Sequence, residues 1–364
     1  MDQKKSIRSI IKTMKYAFNG LLFAQRQTGV MRYAREILLV IDQICKKNEF
    51  VLVVPEYADK VPELQNIKVG RYGNIKGNLW EQISFPRYLK AHNLTGVSFN
   101  NTCPLCALDG VIVIHDIAYK LHPEFGTSLH GRLSRIYHRL IFSRVSKSKM
   151  KIVTVTQFSK YQLIDTYRID PNRITVIGNA WQHIKQIKGN SNILLRNDLK
   201  DKGYYFTLGS MSIMKNTKWV YEVAKRNPDS LFVLAGAKSK GTGNSFEQLN
   251  NVIALGFVSD VEVKELLKHC RAFIYPSIYD GFGIPPLEAL SQGAEVICSN
   301  AACLPEVYGN TVRYIDPYKY DINVEDKMKE AVCDANFALG KYSWRKSGEE
   351  FYKLLAENDS RNKE

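Results

Sequence analysis

Two carboxylates eight positions apart bracket a glycine turn in IYPSIYDGFGIPPLEALSQGAEVICSN, residues 274–300. Asp280 stands directly before Gly281-Phe282-Gly283, and Glu288 stands five residues after it. An apolar run, 272–275, leads into the turn, and Ile284-Pro285-Pro286 opens a helix after it, since proline presets φ and sacrifices no hydrogen bond in a first turn. Amides at such a turn and helix start converge on one point, where an anionic or hydroxyl-rich ligand is held. One carboxylate ahead of the helix and one inside it can both accept from hydroxyls of a single ligand without competing with its phosphates. Many strand–turn–helix units share this pattern, so alone it marks a ligand site rather than a reaction.

Three further residues have types and positions suited to such a ligand. Lys215, in LGSMSIMKN (208–216), follows a second apolar run and is a point charge fit for a phosphate, or equally a surface lysine at a helix start. His115 closes VIVIH (111–115), which puts an imidazole at the carboxyl end of a buried strand, the end where open sheets bind ligands. Gly29, in a Thr28-Gly29 pair, lets the backbone approach a ligand or belongs to an ordinary loop. No Asp, His and Glu set has metal-ligand spacing, and Cys103 and Cys106 form a lone C-x-x-C read as ordinary thiols, so no metal and no cofactor are expected.

The elements that must position these residues alternate short apolar runs with helical stretches, the signature of mostly parallel sheets covered by helices. Strands are predicted at 14–18, 50–54, 111–114 and 151–155, then at 204–208, 231–235, 252–255, 272–275 and 295–298. That is two αβ sets in series, with a polar stretch, 182–203, read as the linker between them. The expected domains are 1–182 and 183–341, the carboxyl ends of their strands facing a cleft suited to two substrates.

Of 364 residues, 51 are Lys or Arg and 36 are Asp or Glu, a net charge of +15. Residues 1–182 hold 27 basic and 13 acidic residues, a net of +14, whereas 183–364 hold 24 and 23. This asymmetry points to a polyanionic partner or an anionic membrane surface for the first half. Seven scattered cysteines fit reduced thiols. No apolar stretch is long enough to cross a bilayer, and Lys4, Lys5, Arg8 and Lys12 are not followed by a secretory cleavage pattern, so a cytoplasmic location is expected. The true start is either Met1 or Met14; between them Ile7, Ile10 and Ile11 recur at helical spacing.

Taken together, 274–300, the following SNAACLPEVYGN (299–310) and IDP (315–317) resemble the signature of glycosyltransferase family 4, a carboxylate, seven residues and a Glu in a donor-binding domain. The family usually has Glu at the first position, where Asp280 is one methylene shorter. LGSMSIMKN resembles the family's diphosphate-binding turn, with Lys215 matching its Lys, while Ser210 and Met214 stand where Arg is often found. NGLLFAQRQTGVMRYAREIL (19–38), VIVIHDIAYKLHPEF (111–125), VTVTQFSKYQL (153–163), ITVIGN (174–179) and YSWRKSGEEFYKLL (342–355) are similar to its other elements, so the likeness runs from about Met14 to Leu355.

The resemblance implies the α/β GT-B fold, two Rossmann-like domains facing a cleft, with 342–364 packing back on the first. It further implies a metal-independent, retaining glycosyltransferase using a nucleotide-diphosphate sugar. Glu288 would bind the ribose, and Asp280 with the amides of Phe282 and Gly283 the transferred sugar. Lys215, with Gly209 and Ser210 of its turn, would hold the diphosphate, Gly281 would belong to the donor site, Gly29 would let the backbone approach the donor phosphate or the acceptor, and His115 would lie beside the sugar. Residues 129–151 place Arg132, Arg135 and Arg139 among aliphatic side chains, a basic amphipathic helix for an anionic leaflet or a lipid-linked oligosaccharide acceptor, or simply a solvated face. Relatives of this kind commonly extend lipid-linked oligosaccharides for O-antigen or capsule, and transfer of a hexosyl unit such as mannosyl, at the inner face of the membrane, is expected here. A nucleic-acid-binding role is disfavoured by the lack of any such motif. Another kind of GT-B sugar-nucleotide enzyme, or a catalytically silent scaffold, remains open.

Overall fold

A computed structural model describes residues 15–25, 28–125, 129–189, 192–209, 213–236 and 249–361. The N-terminal segment through Met14, and with it both candidate starts and the basic residues Lys4 to Lys12, lies outside the described residues, as does Ser210. The chain divides into two compact units, one of Met1–Leu121, Arg132–Gly178 and Trp344–Glu364, the other of His122–Gly131 and Asn179–Ser343.

The first unit is built on a parallel sheet of β1 (Tyr16–Asn19), β2 (Phe50–Val54), β3 (Lys68–Arg71), β4 (Thr95–Ser98), β5 (Val111–Val113), β6 (Lys151–Thr154) and β7 (Ile174–Val176), in the order β3-β2-β1-β4-β5-β6-β7. Continuous apolar runs such as FVLVV in β2 are buried along their whole length, as parallel strands covered on both faces must be. One core cluster joins Ile112, Ile114, Ile141, Phe142 and Ile152, and another joins Ala17, Val51, Val53, Trp80 and Phe85. The last helix, Trp344–Arg361, lies against Gly29–Ile44, with Trp344 edge-on to Tyr33 at 6.1 Å and Phe351 against Phe99 at 5.4 Å. Gly348 permits this approach, because a Cβ there would sit 2.4 Å from Val40 Cβ.

The second unit repeats the plan with β8 (Tyr205–Leu208), β9 (Phe232–Ala235), β10 (Val252–Gly256), β11 (Ala272–Tyr275), β12 (Glu295–Ser299) and β13 (Arg313–Ile315), in the order β10-β9-β8-β11-β12-β13. Its core gathers Trp219, Val220, Phe232, Ile274 and Ile297. In each sheet the chain order reverses once, between β1 and β4 and between β8 and β11, and in doubly wound sheets that switch point is where ligands collect.

Two expectations are corrected. The stretch 182–203 is not a structureless linker: it contains a 3-10 helix, Gln182–Gln186, and a helix, Asn192–Arg196. Trp181 Nε1 donates to the Leu339 carbonyl at 3.0 Å and Gln182 Nε2 to that of Tyr342 at 2.9 Å, so the segment is part of the second unit, which begins at Asn179 rather than 183. The excursion His122–Gly131, assigned from sequence to the first half, also belongs to the second unit.

Candidate active site

Lys215 and Asp280 meet because of strand order. Lys215 follows β8 and Asp280 follows β11, so 65 positions of sequence close to a salt bridge at the switch point. Lys215 Nζ lies 2.9 Å from Asp280 Oδ1, 2.8 Å from Oδ2 and 2.7 Å from the Tyr275 hydroxyl. Tyr275 donates to Oδ2 at 2.6 Å and Ser277 Oγ to the same oxygen at 2.9 Å. Burial, with the charge of Asp280 next in effect, holds the Tyr275 phenol well above its ordinary range, so it stays a donor. Tyr275 and Ser277 were not anticipated from sequence. Their place within five residues of Asp280 was the available signal.

Gly283 carries the turn. Its φ of +79° is a conformation that favours glycine, and it caps the helix Ile284–Ser291 with prolines in the first turn. A Cβ at Gly283 would also come within 2.7 Å of Leu304 Cδ2. The Tyr308 hydroxyl donates to the Gly283 carbonyl, and the buried Phe282 ring stands edge-on to Tyr342 at 5.0 Å. The amides of Phe282 and Gly283 meet no acceptor among the described residues. Gly209, by contrast, spends its amide on the Ala235 carbonyl at 2.9 Å.

Glu288 lies in the second turn of the helix, and its Oε1 receives His183 Nε2 at 2.6 Å. The two side chains are only 12% and 4% exposed. Sequence reasoning missed His183, which sits in the stretch read as linker.

In the first unit, His115 follows β5 and is buried. Its Nε2 donates to the Phe99 carbonyl at 3.0 Å, its amide to Asn101 Oδ1 at 2.7 Å, and the Tyr33 ring meets it edge-on at 5.1 Å. Burial lowers its pKa to about 4, outweighing the opposing hydrogen bond to Phe99, so the ring is neutral near pH 7. Gly29 is the first residue of the helix Gly29–Ile44, whose cap is Thr28, accepting from the Met31 amide at 3.3 Å.

Arg132, Arg135 and Arg139 lie on the helix Leu129–Ser146. Arg139 is directed onto the carbonyls of Tyr119 and Lys120 at 3.3 and 3.4 Å, which ties it to the end of the short helix Ala118–Leu121. Beside the arginines, Leu133, Ile136 and Leu140 are 59%, 65% and 48% exposed, an aliphatic stripe at helical spacing.

Two parallel-sheet α/β units in series, with a glycine turn, a lysine and two carboxylates at the carboxyl ends of the second sheet, define the GT-B fold. Structural likeness agrees: Anabaena HepE in complex with UDP-glucose matches with a TM-score of 0.69 at 16% identity, covering 94% of this chain and 100% of that one. WaaG, a glycosyltransferase involved in lipopolysaccharide biosynthesis, matches with a TM-score of 0.66 at 14% identity, covering 92% and 94%. Residues 194–338 match the family described as glycosyl transferases group 1. The chain is 28% identical over 335 residues to O-antigen chain mannosyltransferase B of Escherichia coli, spanning 81% of this chain and 84% of the relative. Against O-antigen chain mannosyltransferase RfbU of Salmonella typhimurium it is 25% identical over 342 residues, spanning 87% and 92%. Residues 194–338 thus form a glycosyl transferases group 1 domain, and the chain as a whole is similar to O-antigen mannosyltransferases.

Proposed function

We propose that this protein transfers a hexosyl unit, mannosyl in the first instance, from a nucleotide-diphosphate sugar to a lipid-linked oligosaccharide during O-antigen or capsule assembly, with retention at the anomeric carbon. The observation that carries the reading is Lys215 held at the switch point of the group 1 domain, where the amides of Phe282 and Gly283 also meet no acceptor among the described residues. The mannosyl donor and O-antigen product rest on the names of the relatives.

In this reading Glu288 accepts from the ribose hydroxyls and Asp280 from a hydroxyl of the sugar. The bond between the anomeric carbon and the diphosphate oxygen breaks with its electron pair leaving on the phosphate, giving an oxocarbenium-like state. Lys215 and backbone amides stabilise that developing charge. The acceptor oxygen bonds to the anomeric carbon on the face the phosphate leaves, and the phosphate oxygen takes the acceptor's proton. Positive potential from a lysine and amides serves where other enzymes use a divalent ion, so the reaction proceeds without one. His115, its Nε2 proton committed to Phe99, keeps Nδ1 as an acceptor for a substrate hydroxyl.

The acceptor reading is supported by the helix Leu129–Ser146, whose exposed Leu133, Ile136 and Leu140 beside Arg132 and Arg135 suit a peripheral position on an anionic leaflet. No helix among the described residues is long and apolar enough to cross a membrane. Incubation with GDP-mannose and a set of UDP-sugars, with and without membrane extract, tests the proposal. Transfer of label into lipid-extractable material supports it, and release of free sugar alone under every condition opposes it.

A further inference from the structure

We infer that His183 is a positioning residue for the donor nucleotide, acting through Glu288: it holds one carboxylate oxygen so that the other is presented to the ribose. The inference rests on the reading above that Glu288 binds the ribose. The carboxylate is divided in just this way. Oε1 is taken by His183 Nε2 at 2.6 Å, while no donor among the described residues reaches Oε2.

A glutamate in a helix has three side-chain torsions, the last of them broad, so its carboxylate does not hold one orientation unaided. The imidazole supplies the constraint from a fixed base. His183 is in the 3-10 helix Gln182–Gln186, whose entry is pinned by Trp181 Nε1 on the Leu339 carbonyl and by Gln182 Nε2 on that of Tyr342. Ile184 beside it is buried, and Lys185 Nζ lies over the Trp181 ring at 4.7 Å. Two short, well-anchored elements thus meet at one hydrogen bond, and a supporting partner of this kind fixes a binding carboxylate to within the fraction of an ångström that recognition requires. A histidine reaches the carboxylate through only two torsions and loses little entropy in doing so. The alternative is that the pair merely fastens the 3-10 helix to the helix Ile284–Ser291, a role indifferent to what Glu288 binds.

Ribose selectivity separates the two. Dissociation constants are measured by calorimetry for UDP and GDP and for the 2′-deoxy and 3′-deoxy form of each, with the full-length chain. For the nucleotide that binds, the parent prefers the ribo form by about tenfold or more over at least one deoxy form, as a site built to pair a hydroxyl does. His183→Ala weakens the ribo form by about tenfold and that deoxy form by less than twofold, so the preference collapses, while His183→Gln, which restores an N–H donor, recovers most of it. In a Glu288→Ala background, His183→Ala has no further effect. Equal weakening of ribo and deoxy forms by His183→Ala, with Gln giving no recovery, assigns the pair a fastening role and overturns the inference while leaving Glu288 in place. Absence of any ribose preference in the parent overturns the reading of Glu288 itself, and the inference with it.

Discussion

Lys215 Nζ donates to both carboxylate oxygens of Asp280, at 2.9 and 2.8 Å, and the same ammonium reaches the Tyr275 hydroxyl. The residue expected to face the diphosphate and the residue expected to face the sugar are therefore one electrostatic unit. Their substitutions should be strongly non-additive. Lys215→Ala is expected to lower kcat/KM by about 100-fold or more, the usual effect of removing one stabiliser of transition-state charge, and to weaken nucleoside diphosphate binding. Asp280→Ala should lose activity partly through the lysine it no longer holds, and the double variant should be scarcely worse than Lys215→Ala. Losses that simply multiply, in steady-state kinetics of all four proteins, would separate the two roles.

His115 gives the pH dependence of stability a definite sign. Its pKa is lowered by burial to about 4 from the ordinary 6.5, so between those values the unfolded chain binds a proton that the folded chain does not. Its contribution is fully present above pH 6.5 and is lost as pH falls toward 4, by roughly 3 kcal/mol at 1.36 kcal/mol per pH unit. His115→Gln retains a donor for the Phe99 carbonyl and does not titrate. Denaturant melts at pH 7.5 and 4.5 should show a smaller loss for the variant than for the parent, and identical losses would remove His115 as the cause.

The continuous apolar strands were legible from the sequence, because burial on both faces leaves no polar alternation in FVLVV or AFIY. The turn at Gly281-Phe282-Gly283 and its helix were equally legible, since proline and glycine constrain the backbone locally. The strands β3, β4, β7 and β13 were not: KVGR is a largely exposed edge, TGVS has one apolar side chain among Thr, Gly and Ser, and ITV and RYI are too brief to show a period. His183 was hidden for a different reason. Its partner is 105 positions away, and nothing local in a polar stretch announces that it is pinned by Trp181 and Gln182. The Lys215–Asp280 pair likewise depends on β8 lying beside β11, which no local pattern encodes.

The helix Leu129–Ser146 yields a prediction in two arms. Arg132→Gln with Arg135→Gln should weaken binding to vesicles of anionic lipid at low salt, each charge contributing on the order of 1 kcal/mol, and the difference should fade as salt rises. Replacing Leu133, Ile136 and Leu140 by Gln should weaken binding at all salt concentrations, since burial of aliphatic surface is not screened. Arg139→Gln should instead chiefly lower stability, because that guanidinium is committed to the carbonyls of Tyr119 and Lys120. Vesicle sedimentation unchanged in both multiple variants would leave the helix as a solvated face.

Removal of divalent ions tests how the diphosphate is neutralised. With Lys215 and backbone amides in that role, turnover in excess EDTA should equal turnover in magnesium or manganese to within about twofold, whereas an enzyme that clamps its donor with a divalent ion stops. Loss of activity restored by manganese would contradict the assignment.

The stereochemistry of the product tests the central claim most directly. With GDP-α-mannose, or whichever α-configured nucleotide sugar supports turnover, the new glycosidic bond is followed by NMR of the product made by the purified protein on a lipid-linked acceptor fraction. Retention, an α-linked product from the α-linked donor, is the result that departure and attack on one face require. A β-linked product would contradict the account, since inversion needs a general base on the opposite face of the sugar.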